Sequence, residues 1–307
     1  MAAPGLARRD RPWLIALMLP VLVIFAAFFI LPMARLAGVG AGGPRGLATY
    51  AAIVTEPRYF RSLLSTLALS AGVTVLTLAI ATLAGVFLQR NTFRGRSALI
   101  AMLTFPLAFP GVVVGFMVIM LAGRQGLIGD ISRLLTGQKL VFAYSMAGLL
   151  MGYLYFSIPR VILTIMAAAE KLDRNLEEAA RSMGASAWQV VRDVILPGLR
   201  PAFLSAGAIC FATSMGAFGT AFTLATEIEV LPMTIYTEFT LRAHIALAAA
   251  LSLVLGVITW LALALARTAA GSSVAASALC ERGAARARST PSSRSPSWWP
   301  PSWWCPS

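Results

Sequence analysis

Hydrophobic residues along this chain are gathered into long runs, and short polar segments separate one run from the next. Each run meets the roughly 20 residues that an α-helix needs to cross the hydrocarbon core of a bilayer. The six runs lie at about residues 14–36, 62–89, 97–123, 140–169, 201–226 and 243–266. The pattern therefore predicts an all-α polytopic membrane protein whose transmembrane domain, residues 13–269, holds six transmembrane helices.

The composition agrees with this class and argues against two others. Of the 307 residues, 58% are hydrophobic and 12% are charged, whereas charged residues average about a quarter of soluble chains. The formal net charge is +13, but the basic residues are scattered through short inter-span segments, which suits membrane topology better than nucleic-acid binding. Cys210, Cys280 and Cys305 form no C-x-x-C pair, so neither a structural disulfide nor a metal site is expected.

Lysine and arginine are unevenly shared between the two sides of the predicted bilayer. With the N-terminus (residues 1–12) in the cytoplasm, the cytoplasmic segments hold sixteen of these residues and the opposite side holds eight. Without the C-terminal tail the count is eleven against eight. The positive-inside rule therefore predicts a multi-pass protein with a cytoplasmic N-terminus and with the polar segment 170–200 also in the cytoplasm.

The composition changes at about Gly271. Residues 270–307 are rich in serine, proline and arginine, and the sequence PSWW occurs twice. Such a composition cannot build a core, so we expect disorder from residue 270 onward. Two origins are compatible with it: a tryptophan-bearing tail at the membrane interface, or translation in a shifted reading frame.

The polar segment between the fourth and fifth spans is predicted to fold as two short helices joined at a glycine. Asn175 is positioned to cap the first helix, and Gly184 ends it because glycine adopts the left-handed conformation without penalty. Ser186 and Gln189 have the spacing of a capping box, which begins the second helix. Pro197 is expected to end that helix, since it lacks the N–H group and clashes with the preceding turn.

This segment resembles the EAA loop of binding-protein-dependent ABC importer permeases. Glu178-Ala179-Ala180 is followed after three residues by Gly184, and after nine more by Val194, one residue and Leu196-Pro197; Val194 replaces the more usual isoleucine. The resemblance implies a coupling helix that docks in a groove of a cytoplasmic ATPase. The residues expected to couple are Glu177, Glu178, Ala179, Ala180, Arg181, Gly184, Leu196 and Pro197. The alternative, a helix lying on lipid headgroups, would favour a basic polar face, whereas this segment begins with acidic residues.

The resemblance also implies a type I ABC importer permease of the bacterial inner membrane. Such a permease works with a second permease chain, identical or homologous, a cytoplasmic ABC ATPase dimer and an extracytoplasmic substrate-binding protein. Lys139 and Lys171 are the only lysines, and neither lies in a phosphate-binding loop. ATP and Mg are therefore expected on the partner ATPase, with no cofactor or enzymatic role in this chain. The solute is expected to be a polyamine, iron or a phosphonate.

Two of the predicted spans contain breaks that have both a functional and a structural interpretation. In the third span, prolines within FPLAFPGVVVG interrupt the helix. In the functional interpretation, Phe105 and Phe109 gate a translocation path. In the structural interpretation, the helix simply bends and Gly111-x-x-x-Gly115 packs against another helix. The fifth span is interrupted by small and polar residues, which either face substrate or allow close packing. Its candidate path residues are Ser214, Met215, Phe218 and Thr220.

The rival functions are a secondary transporter or channel that works without an ATPase, and a membrane scaffold without transport. A proton- or sodium-driven carrier often holds an acidic residue inside a span for ion relay. Neither the third nor the fifth predicted span contains one. The sequence therefore favours an importer whose energy comes from a partner subunit.

Overall fold

The computed structural model describes residues 11–43, 46–224 and 228–289, with side chains for 18–43, 46–224 and 228–268. These residues form α-helices and contain no β-strand. The helices are α1 (Arg11–Phe25), α2 (Leu31–Ala41), α3 (Ala48–Thr55), α4 (Pro57–Arg90), α5 (Arg96–Thr104), α6 (Gly111–Ala122), α7 (Leu127–Thr136), α8 (Met146–Glu170), α9 (Arg174–Ser182), α10 (Ala187–Val190), α11 (Leu196–Gly198), α12 (Arg200–Met215), α13 (Phe218–Leu224), α14 (Leu231–Tyr236) and α15 (Ile245–Ser289).

The all-α fold with several membrane-spanning helices is confirmed. Among the described residues, five helical stretches are long and apolar enough to cross a bilayer: Met18–Ala41, Pro57–Arg90, Gly111–Thr136, Met146–Glu170 and Ile245–Thr268. A sixth is obtained if Ala187–Gly198 and Arg200–Met215, which meet at a bend of 66°, are taken as one span.

The third span begins later than predicted because proline divides it. A 3₁₀ turn, Phe105–Ala108, follows α5, and the chain is extended at Phe109 and Pro110 before α6 begins at Gly111. Proline supplies no N–H group for a continuing helix and disfavours helical dihedral angles in the residue before it. The apolar crossing stretch is therefore Gly111–Thr136 rather than 97–123.

The last helix differs from the expected tail. α15 runs to Ser289, so residues 270–289 are helical where we expected disorder. Alanine is frequent in this segment and has the highest helix propensity of the residues, which explains how the helix continues past the apolar run. The rest of the predicted tail, residues 290–307, lies outside the described residues, as does most of the predicted N-terminal segment 1–12.

The described chain divides into two compact units. The first contains the described residues up to Leu63 together with Thr234–Val257. In it, the Tyr50 hydroxyl donates to the Ala37 carbonyl at 3.0 Å, and the Ser62 and Thr234 hydroxyls lie 2.7 Å apart. None of the most apolar stretch of Met18–Ala41 is buried. A helix that is apolar on every side needs lipid or another chain around it.

The second unit contains Leu64–Met233 and the described residues from Ile258 onward. Its core is formed by buried side chains from α4, α6, α8, α12 and α13, with Leu149, Ile165 and Leu224 among the fully buried residues. α6 packs especially closely on α13. A Cβ atom placed on Gly115 would lie 1.6 Å from the Thr223 Oγ1 atom, so only glycine allows the two backbones this approach.

Candidate functional site

The polar segment 170–200, which we call the elbow, begins with a capped helix. The Asp173 carboxylate accepts a hydrogen bond from the Asn175 N–H at 2.9 Å, and so caps α9. The prediction that Asn175 is the cap is wrong. Asp173 has the extended backbone of a capping residue, which places Asn175 inside the first helical turn.

Gly184 ends α9 as predicted. Its φ is +86°, and no atom lies within 4 Å of the position a Cβ would occupy, so the need for glycine here is conformational rather than steric. The Gly184 N–H donates to the Arg181 carbonyl at 2.9 Å, and the Ala185 N–H donates to the Ala180 carbonyl at 3.1 Å. These two bonds form a Schellman motif, which fixes the direction in which the chain leaves the helix.

The second part of the elbow begins with the predicted capping box. Ser186 Oγ accepts from the Gln189 N–H at 3.3 Å, and Gln189 Oε1 accepts from the Ser186 N–H at 2.7 Å. The predicted end at Leu196-Pro197 is wrong, because a π-helical turn at Val191–Ile195 carries the helix into α11. Pro197 directly follows this π-helical turn, as the second residue of α11.

Glu177 points into the protein, where it forms an ion pair with Arg90 at the end of α4. The residue is 8% exposed. Glu177 stays a predicted coupling residue, but its charge is already paired inside this chain. A second nitrogen of the same guanidinium, Arg90 Nε, is buried without a hydrogen-bond partner among the described residues. The pair joins the elbow to the second predicted span.

The exposed surface of the elbow presents both polar and apolar side chains. Of the other predicted coupling residues, Glu178, Ala179, Arg181, Gly184 and Leu196 are exposed, whereas Ala180 and Pro197 are half-buried. Sequence reasoning missed three exposed apolar side chains in the same segment: Leu176, Met183 (83% exposed) and Trp188 (70% exposed). The available signal was the occurrence of large apolar residues in an otherwise polar loop.

A cleft of about 430 Å³ separates part of the elbow from the end of α4. Its lining combines apolar side chains with the Arg90–Glu177 pair. The lining residues are Thr82, Leu83, Val86, Phe87, Arg90, Asn91, Arg174, Glu177, Glu178, Arg181, Val191, Ile195 and Leu196.

A second cavity, of about 320 Å³, lies where the two broken spans meet α8. Its residues are contributed by the Phe105–Val112 break, by the Met215–Phe218 break with its flanking helices, and by the middle of α8. They are Pro106, Leu107, Phe109, Gly111, Val112, Phe156, Arg160, Thr213, Ala217, Gly219 and Thr220.

The predicted path residues divide into two groups. Phe109 and Thr220 line the cavity, while Phe105 packs edge-on against Phe109 with ring centroids 4.9 Å apart. Ser214 and Met215 are fully buried, and Phe218 contacts Phe222. None of these last three residues, nor Phe105, lines the cavity among the described residues.

Close packing explains the small residues of both breaks. Thr220 Oγ1 donates to the Gly111 carbonyl at 3.0 Å, and a Cβ on Gly219 would lie 3.0 Å from the Val112 nitrogen. The Tyr153 hydroxyl donates to the Ala217 carbonyl at 2.7 Å and satisfies the backbone where α12 gives way to α13. The structural interpretation therefore holds at these positions, and the same packing shapes the cavity wall.

Arg160 is the cavity residue that sequence reasoning missed. Of the 25 Lys and Arg residues, sixteen are assigned to the cytoplasmic side and eight to the opposite side. Arg160 is the one that remains, because it lies within a predicted span. A basic residue left inside a span is a signal of function, because charges there are expensive.

In the first unit, Glu238 is fully buried and faces two arginines and a histidine. Its carboxylate lies 3.0 Å from Arg242 Nη1, 2.8 Å from His244 Nδ1 and 3.6 Å from Arg58 Nη1. The His244 N–H also donates to the Glu238 carbonyl at 2.8 Å, beside Ala243, whose φ is +55°. This cluster ties the segment before α15 to the beginning of α4.

Comparison with known proteins assigns the region that contains the elbow and the broken spans to a protein family. The profile of the family described as binding-protein-dependent transport system inner membrane component matches residues 78–270, which is more than half of the chain and includes both features. The chain belongs to this family. The permease is thus a multi-pass membrane subunit of an ABC importer, and the resemblance inferred from the elbow is confirmed.

Individual relatives agree with the assignment. The permease is 33% identical over 189 residues to the molybdenum transport system permease protein ModB of Escherichia coli K12, covering 60% of this chain and 81% of ModB. It is 28% identical over 258 residues to the putative 2-aminoethylphosphonate transport system permease protein PhnU of Salmonella typhimurium, covering 82% and 89%. A bacterial alginate ABC transporter crystallised with an alginate-bound periplasmic protein contains a chain of the same fold, with TM-score 0.71, 18% identity and coverage of 84% and 93%.

Proposed function

We propose that this permease forms the membrane pathway of an ATP-driven importer and receives its mechanical input through the elbow. The observation that carries the proposal is the two-sided construction of the elbow. Glu177 fastens the elbow to α4 beside the cleft that Glu178 and Arg181 also line, while Ala179 and the exposed apolar side chains of Leu176, Met183 and Trp188 lie outside that cleft. Large apolar side chains exposed beside charged ones are typical of a surface that binds another protein.

The partners follow from the family and from this surface. A cytoplasmic ATPase dimer, holding ATP and Mg, docks on the elbow, with the N-terminus of the permease on the same side of the membrane. A second permease chain, identical or homologous, and lipid cover the exposed apolar helices. An extracytoplasmic binding protein delivers the solute. Closure of the ATPases moves the elbow and favours one of two packings of the spans, which gives alternating access.

We further propose that the cargo is a small oxyanion. Two relatives are named for molybdenum and for 2-aminoethylphosphonate. In neutral water both solutes carry a tetrahedral oxyanionic group. The cavity volume of about 320 Å³ lies at the lower end of the range for small-molecule sites, which is roughly 300–1,000 Å³. Among the described residues that line it, the one charged side chain is a cation, so a polyamine or ferric ion fits less well than a phosphonate.

Replacement of Gly184 tests the coupling role. Gly184→Val forces a β-branched residue to a φ of +86° and should redirect the elbow. We expect at least ten-fold slower ATP-dependent uptake in proteoliposomes that contain the cognate ATPase and binding protein. Gly137→Val is the matched control, since Gly137 also follows a helix with positive φ (+72°) and has no atom within 4 Å of its Cβ position.

The outcomes separate the importer from its rivals. Equal uptake by the Gly184→Val and Gly137→Val permeases, at equal membrane levels, would show that the elbow has no role in coupling. Uptake that needs neither ATP nor the ATPase would instead identify a secondary transporter or channel.

A further inference from the structure

Arg160 lies deep inside a helix that is long enough to span the membrane. α8 runs from Met146 to Glu170, and ten residues follow Arg160 before its end. At 1.5 Å per residue, this places the Arg160 backbone about 15 Å from one end of the helix and about 21 Å from the other. A guanidinium at such a depth is costly unless it faces water, a counter-charge or a solute path.

The Arg160 side chain has no internal counter-charge. In the part of the chain that the structure describes, it takes part in no ion pair and no side-chain hydrogen bond. By contrast, Arg90 and Arg58, at the two ends of α4, are paired with Glu177 and Glu238. Arg160 has no carboxylate of this kind beside it.

The surroundings of Arg160 suit an anion. Among the described residues that line the cavity, it is the only charged one, and the carbonyl-bonded hydroxyls of Thr213 and Thr220 are the neighbouring polar side chains. Gly111 and Val112, the first two residues of α6, form another part of the wall. First-turn N–H groups have no partner within their helix and lie at its positive end, so this wall has the same sign as the guanidinium.

We propose that Arg160 is the charge-selecting residue of the permeation pathway and pairs transiently with an oxyanion as it crosses. A guanidinium presents a planar fork of donors that matches two oxygens of such a group, and its charge repels cations from the same cavity. The inference rests on the proposed importer function and deepens it by naming the residue that meets the cargo.

The test measures uptake of labelled sulfate, molybdate and 2-aminoethylphosphonate by proteoliposomes that contain the complete transporter. Arg160→Gln should lower the ATP-dependent rate by about 10- to 100-fold, the range expected when a hydrogen-bonded charge is removed. Arg160→Lys keeps the charge but loses the fork, so its rate should lie between those of Gln and wild type. Basal ATP hydrolysis and ATPase capture should remain normal in both. Arg267→Gln, at an exposed arginine of α15 outside the cavity, is the control.

A chemical rescue keeps the test decisive if Arg160→Gln is poorly inserted. Arg160→Cys is made in a chain whose Cys280 and Cys305 are replaced by serine, leaving only the buried Cys210. A positively charged methanethiosulfonate should restore uptake, and a negatively charged one should not. Equal uptake by the Gln and control variants, or rescue independent of reagent charge, would overturn the role of Arg160. If the wild-type transporter takes up none of sulfate, molybdate and 2-aminoethylphosphonate, the oxyanion proposal fails; if it shows no ATP-dependent uptake of any solute, the importer proposal fails.

Discussion

The Arg90–Glu177 pair predicts how firmly the elbow is held to α4. The side chains are 15% and 10% exposed, so this ion pair is largely withdrawn from solvent. Removing one partner of a buried pair costs about 3–5 kcal/mol, because the other charge is left uncompensated. Glu177→Gln should therefore release α9 at a cost of about 3 kcal/mol, which corresponds to a more than 100-fold larger opening constant.

Hydrogen exchange of the α9 amides measures this release directly. Exchange reports local opening, so protection across Arg174–Ser182 should fall by about 100-fold or more in Glu177→Gln. The control is Asp130→Asn, which breaks the Lys139–Asp130 pair. That pair is 2.9 Å long, but its side chains are 33% and 60% exposed. Such a surface pair is worth about 0–1 kcal/mol, so protection in α7 should change by less than about five-fold.

A double variant distinguishes the ion pair from an unrelated packing effect. Arg90→Met combined with Glu177→Gln removes both charges and should recover much of the protection lost in either single variant, since replacing a whole buried pair is often nearly neutral. Protection in Glu177→Gln that changes no more than in Asp130→Asn would refute the reasoning. Strictly additive losses in the double variant would refute it as well.

Two further predictions concern stability. Gly115→Ala places a Cβ 1.6 Å from Thr223 Oγ1 and should destabilise the detergent-solubilised permease by about 1–3 kcal/mol in thermal unfolding. Gly38→Ala, in open space, should be neutral or stabilise the permease by up to about 1 kcal/mol. Equal melting temperatures for the two variants would contradict the tight α6–α13 contact. Glu238→Gln leaves Arg58, Arg242 and His244 around a neutral group and should cost about 3 kcal/mol, whereas exposed Asp193→Asn should lie within about 0.5 kcal/mol of wild type.

Features determined by neighbours in sequence were predictable. The apolar runs predicted the spanning helices, and the Ser186–Gln189 spacing and Gly184 predicted the turn and the second helix start of the elbow. These features depend on backbone propensity and local hydrogen bonds. Each can therefore be inferred from a few adjacent residues.

Features determined by tertiary packing were not predictable in the same way. The inward direction of Glu177 depends on Arg90, which is 87 residues away in sequence, and the burial of Ser214 and Met215 depends on neighbouring helices. The alanines of residues 270–289 favour continuation of α15, but the serine, proline and arginine content of the whole segment 270–307 predicted disorder instead. The position of Arg160 within an apolar run was visible in the sequence, but only the cavity around it suggests a role.

Cross-linking from Trp188, on the exposed surface of the elbow, tests whether an ATPase docks on this segment. Trp188→Cys places a thiol at a 70% exposed position, and a short bifunctional reagent is applied to membranes that contain the permease and its cognate ATPase. We expect a permease–ATPase product at this position, with a yield that changes when ATP is bound. A cysteine at Leu47, which is similarly exposed on the other predicted side of the membrane, should give no such product. Labelling of Trp188→Cys by an impermeant reagent from outside the cell, without any product containing the ATPase, would contradict it.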